Sequence, residues 1–130
     1  MAADAGLIDW VAEALEPMGR VTHRRMMGGA TLYLDGTIFA IAGFDALWFK
    51  ADAESDAVWD AEGCPRFRAQ MGERAALMNY RRAPDDVYDD ADAMRRWAKV
   101  AVAAGLRAAL KRRDGTRGSR RERATPAARA

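Results

Sequence analysis

A chain of 130 residues, half of them apolar and 31% charged, fits one globular domain; it excludes a wholly disordered chain and leaves two domains undersized. Its longest apolar runs, Ile38 to Gly43 and Ala46 to Phe49, fall far short of the ~20 residues of a membrane-spanning helix, and a lone cysteine, Cys64, excludes an internal disulfide and a cysteine-rich metal site. The net charge of +2 is unevenly spread: residues 111 to 130 hold eight Lys or Arg against two acids, leaving thirteen bases against seventeen acids in residues 1 to 110.

In chain order, Asp4 is placed to cap a first helix whose Leu7, Ile8, Val11, Ala14, Leu15 and Met18 follow helical spacing, ended by Pro17 and Gly19. From Val21 to Ala51 the residues become β-branched and aromatic, which predicts strands near 21–26, 30–34, 37–42 and 46–50. Asp35-Gly36 is the strongest hairpin signal, and Gly43-Phe44-Asp45 marks a second turn. Asp52, Glu54 and Asp56 crowd the start of a short helix that carries Val58, Trp59 and Ala61 and closes at Gly63 and Pro65. Two further strands are expected at 66–70 and 75–80, joined through Gly72. After Pro84, Asp89, Asp90 and Asp92 introduce a long helix with Met94, Trp97, Ala98, Ala101, Gly105 and Ala108 on one face, and Lys111 to Arg113 complement its C-terminal dipole. The expected fold class is α+β: an antiparallel sheet with helices packed on one face, in two layers. The expected division is a domain over 1–110 and a disordered arginine-rich tail over 111–130, where Gly, Ser and Pro accompany the arginines without a large apolar residue.

No catalytic constellation emerges from the residues, and neither a cofactor nor a metal is expected. His23 is the only histidine and reads first as an exposed or structural strand residue. Cys64 sits just past a helix rather than at a helix N-terminus, a position that does not activate a thiol, so an enzyme using Cys64 or His23 is the least favoured reading. The most distinctive stretch is His23-Arg24-Arg25-Met26-Met27-Gly28-Gly29. His23, Arg24, Arg25, Gly28 and Gly29 form a candidate binding segment, with the glycines able to bring backbone close to a phosphate or carboxylate. A bulge or sheet-edge turn at the glycines is the competing reading. Arg24 and Arg25 must face opposite sides of a regular strand. In the tail, Arg112, Arg113, Arg117, Arg120, Arg121 and Arg123 are the candidate contacts to nucleic acid, while the acidic body argues against a broad nucleic-acid platform. Trp48, Phe49, Trp59, Tyr80 and Trp97 fit core packing better than base stacking, and the pairs Asp85-Asp86 and Asp89-Asp90 fit capping better than catalysis. The N-terminus, MAADAGLID, has no basic region ahead of an apolar segment, so no secretion signal is read and the cytoplasm is the expected compartment.

Arg25-Met26-Met27-Gly28-Gly29-Ala30, followed by Leu32-Tyr33-Leu34-Asp35-Gly36, Phe39-Ala40 and Trp48-Phe49-Lys50, resembles the N-terminal domain of the TfoX/Sxy regulators of competence for DNA uptake. Asn79-Tyr80, Pro84 and the tryptophan-bearing closing helix extend the resemblance over about residues 5 to 110. Met27 stands where the family pattern usually has an aromatic residue. The resemblance implies a secretion-chaperone-like α-β3-α-β2-α fold, with the strand near 21–26 as a possible addition, and a stand-alone domain without the family's C-terminal helical domain. It also implies a non-enzymatic regulatory role, in which full-length members assist the cyclic-AMP receptor protein at competence promoters through protein contacts. The expected partners are thus a transcription regulator or RNA polymerase, a second copy of the chain, and nucleic acid held nonspecifically by the tail; a membrane is not among them. The alternative function is a small-molecule or peptide-binding domain that holds an anionic group through the Arg24 to Gly29 segment.

Overall fold

Two-residue loops set the register of the sheet. Leu34 pairs with Thr37 across Asp35-Gly36, whose φ angles of 49° and 85° give the twist that matches two antiparallel strands. Asp35 also accepts the Arg20 backbone N–H at 2.9 Å. Gly43 pairs with Ala46 across Phe44-Asp45, again with both φ values positive, at 52° and 68°. A phenylalanine in that region costs conformational energy, and its ring gains an edge-to-face contact with Phe67, the centroids 5.1 Å apart.

The computed structural model describes residues 5–26, 28–67 and 79–124, with side chains through residue 113. Helix α1 (Ala5–Ala14) precedes strands β1 (Val21–Met26), β2 (Gly29–Leu34), β3 (Thr37–Gly43) and β4 (Ala46–Lys50). Helix α2 (Asp56–Ala61), strand β5 (Tyr80–Arg82), a 3₁₀ turn (Asp85–Tyr88) and helix α3 (Ala91–Ala124) follow. All five strands pair antiparallel in the order β1-β2-β3-β4-β5. The fold is α+β, as the alternation of residue types predicts.

Alternation along the strands divides the sheet into two faces. On one face Leu32, Phe39, Leu47 and Phe49 are buried in a core shared with Val11 and Leu15 beside α1, Trp59 of α2 and Met94, Ala98 and Ala101 of α3. Phe49, Trp59 and Trp97 form an aromatic wall with centroids 5.6 and 5.2 Å apart. On the other face Ile41, Ala46, Trp48, Phe67 and Tyr80 make a smaller cluster. Hydrogen bonds tie the helical layer together: the Trp10 indole N–H donates to the Val87 carbonyl at 2.8 Å, and Arg95 Nη1 donates to the Ala14 carbonyl at 2.9 Å, where α1 ends. Asp90 caps α3, its carboxylate accepting the backbone N–H groups of Asp92 and Ala93.

Several boundaries differ from the sequence expectation. Helix α1 stops at Ala14 and Leu15 to Met18 form turns; Asp4, its expected cap, lies outside the described residues. Helix α2 begins only at Asp56, because Asp52 and Ser55 lock the preceding turn: each side chain accepts the other's backbone N–H at 3.0 Å. Of the strand expected at 75–80, residues 75–78 lie outside the described set, and Tyr80 begins β5 (Tyr80–Arg82), which runs on toward Pro84. Of the strand expected at 66–70, Arg66 makes a single bridge to Arg81; residues 68–78 are outside the described set. The strand near 21–26 is present as β1, so among the described residues the order is α, four strands, α, one strand, α. The segment expected to be a disordered tail from residue 111 continues α3 as helix to Ala124, and residues 125–130 lie outside the described residues. Extending a nucleated helix fixes one residue per added hydrogen bond, and Ala, Arg and Glu are good helix formers, which offsets Gly115 and Gly118.

Candidate functional site

Helix α3 reaches the sheet through small residues. Ala98, Ala101 and Ala104 are buried, and a Cβ on Gly105 would collide with the Ile38 carbonyl oxygen, so only glycine permits this closeness. Just past that contact Arg107 anchors the helix: its Nε and Nη2 donate to the two carboxylate oxygens of Asp52 at 2.7 and 2.9 Å, with Glu54 Oε2 3.4 Å from Nη1. The Arg107 hydrogen bonds hold the Asp52 carboxyl down to a pKa of about 2 against the opposing effect of burial, and Asp52 in turn raises that of Arg107. Beyond this anchor the character of the helix changes. Leu106 and Leu110, one turn apart, are 50% and 53% exposed, and Lys111, Arg112 and Arg113 are exposed after them. The nineteen residues from 106 to 124 extend about 28 Å. An apolar pair followed by cations is the most prominent unpartnered feature of the described helical layer.

The sequence-derived candidates fall elsewhere. His23, Arg24 and Arg25 lie on β1, an edge strand exposed along nearly its whole length. Opposite Leu32 and Ala30, His23 and Arg25 take the helix side of the sheet, and Arg24, opposite Thr31, takes the other, so the two arginines diverge. Charges along an edge discourage pairing with another strand. The glycines serve packing: a Cβ on Gly28, at φ +83°, would meet the Phe44 ring at 2.8 Å, and one on Gly29 the Ala42 carbonyl oxygen at 2.6 Å. Gly28 and Gly29 thus let the β1–β2 loop approach the β3–β4 hairpin, and the cations beside them do not converge. Arg112 and Arg113 sit on the exposed part of α3, while Arg117, Arg120, Arg121 and Arg123 fall within its last turns.

Cys64 is buried near β5, its carbonyl accepting Arg81 Nη1 at 2.8 Å. Burial, with the Glu62 charge adding, raises the thiol pKa above its usual value, which leaves a poor nucleophile. His23 is four strands away across the sheet, roughly 19 Å at about 4.8 Å per step, too far for a dyad. Among the described residues no group of three or more His, Cys, Asp or Glu side chains is placed to hold a metal ion, and no helix is long and apolar enough to cross a membrane.

Sequence reasoning missed Arg81, 2% exposed, which donates to Asp56 at 3.1 Å and to Asp60 at 2.8 Å and so fastens β5 to α2. It also missed the Asp52–Arg107 fork. These partners are 21 to 55 residues apart, and no local pattern marks them.

An α+β fold with one meandering antiparallel sheet, closed by a long helix, is the frame on which these features sit. The TfoX N-terminal domain family matches residues 13–105, and the chain belongs to that family, which is associated with the regulation of competence for DNA transformation. No curated protein matches the chain.

Proposed function

We propose that this domain is a regulatory protein-interaction module acting in transcriptional control through protein contacts in the cytoplasm, without chemistry of its own. Family membership supports the regulatory setting. The observation that carries the interaction reading is the outer part of α3, where Leu106 and Leu110 present an exposed apolar pair beside Lys111, Arg112 and Arg113. An amphipathic helix face of this kind is suited to a groove on a partner, with the cations favouring an acidic rim. The same basic end, with Arg117, Arg120, Arg121 and Arg123, adds nonspecific attraction to nucleic acid. Deleting the gene and measuring transcripts, together with affinity capture from native extract, tests the proposal. A captured transcription regulator or RNA polymerase and altered transcript levels are the expected results; capture of neither, with unchanged transcripts, contradicts it.

A further inference from the structure

A cleft of about 390 Å³ opens between the turn that follows β4 and the side of α3 beyond the sheet. Ala51, Ala104 and Ala108 give it an apolar floor, and Lys50, Arg107 and Lys111 stand around it. Its acids are already engaged: Asp52 takes the Arg107 fork through both oxygens, and Glu54 lies against the same guanidinium. Among the described residues no ion pair joins Lys50 or Lys111 to a carboxylate. The Arg112 charge, outside the cleft lining, also acts on Lys50, whose ammonium lies 5.2 Å from the Tyr80 ring centroid. Half-buried Lys50 has its pKa lowered first by burial and then by the Arg112 charge, with Asp52 compensating only in part. A like-charged, partly desolvated group of this kind is held at an electrostatic cost that a bound anion removes.

We propose that this cleft binds the phosphoryl group of a small phosphorylated molecule through Lys50 and Lys111, with the body of the ligand lying on the alanine floor. Two lysines without acid partners among the described residues, in the added field of Arg112, suit a doubly charged phosphoryl group better than a single carboxylate, and lysine ammonium groups bind phosphate as mobile point charges. The volume lies within the range of about 300–1,000 Å³ common to small-molecule sites. Arg107, held by Asp52, shapes the wall and leaves the other cations free for the ligand. The site includes neither Leu106 nor Leu110, shares Lys111 with the basic end of α3, and is separate from the glycine-bearing loop beside β1.

The test is calorimetric titration of the full chain with inorganic phosphate and with pyrophosphate, at fixed ionic strength and against acetate and chloride controls. Saturable binding of pyrophosphate, tighter than that of phosphate and absent for acetate, is expected. Lys50→Gln and Lys111→Gln should each weaken it by about tenfold or more, while Arg20→Gln, an exposed cation elsewhere, leaves it unchanged. If Lys50→Gln fails to fold, the exposed Lys111→Gln decides alone. At a salt concentration that suppresses nonspecific DNA binding by the basic end of α3, an excess of duplex DNA should not displace pyrophosphate; displacement there that depends on the same lysines would overturn the small-ligand assignment in favour of a nucleic-acid contact. Absence of saturable binding, or binding indifferent to the lysine variants, would also overturn it.

Discussion

Arg81 and Asp52 show how single side chains hold the elements together. The Arg81 side chain is 2% exposed and donates through Nη1 and Nη2 to Asp56, Asp60 and the Cys64 carbonyl, while its Nε is buried without a partner, so removing it strips three charge-assisted or polar contacts at once. Breaking a fully buried ion pair costs about 3–5 kcal/mol. Asp60 keeps 67% of its side chain in water, so Arg81→Ala is expected to cost less, about 2 kcal/mol in urea unfolding. Asp60→Asn should cost less than about 1 kcal/mol. Asp52 makes a pH prediction. Its folded pKa of about 2 lies below its ordinary 3.8, chiefly because Arg107 hydrogen-bonds the ionised form. A depressed carboxylate pKa contributes stability that is present above the ordinary value and lost as pH falls through the folded one. Urea midpoints should therefore fall between about pH 4 and 2, and Asp52→Asn should flatten that loss; an unchanged acid limb in the variant would contradict the assignment.

At the scale of elements, the packing of α3 on β3 decides the sign of a substitution that would otherwise stabilise. Alanine for glycine in an exposed helix gains about 1 kcal/mol. At Gly105 the added methyl group meets the Ile38 carbonyl and the Thr37 side chain, and forcing such a shift costs about 1–3 kcal/mol, so Gly105→Ala is expected to lower the urea midpoint. A higher midpoint would mean that α3 moves off the sheet freely. The first four strands were legible in the sequence because alternation and the Asp35-Gly36 turn are local signals, and α3 because its small and apolar residues recur at helical spacing. The position of β5 was not, since Tyr80-Arg81-Arg82 carries two arginines and owes its place to pairing with Trp48, Phe49 and Lys50. Helix α3 runs to Ala124 although its last residues lack large apolar side chains, a lack that argues against a packed core but not against helix continued from an anchored turn. Of the candidate site, the arginines and their divergence on a regular strand were legible in the sequence, whereas the Lys50 to Lys111 cleft joins residues that only the fold brings together.

At the scale of the whole molecule, charge is separated between an acidic body and a basic end of α3. Eight cations beyond Leu110 predict DNA binding that weakens with salt, with a log-log slope of roughly −0.9 per neutralised phosphate. A chain ending at Leu110 should lose that binding, and full retention by the truncated domain would place the contact on the body instead. The protein recognition proposed above would use Leu106 and Leu110 nearer the sheet, with Lys111, Arg112 and Arg113 beside them. The most direct measurement is affinity capture by the wild-type chain and by the Leu106→Glu, Leu110→Glu double variant, both shown to be folded, with RNA polymerase and transcription regulators quantified in the bound fraction. The account predicts that the wild-type chain retains such a partner and that the double variant releases it; equal capture by both, or capture of neither class by the wild-type chain, would contradict it.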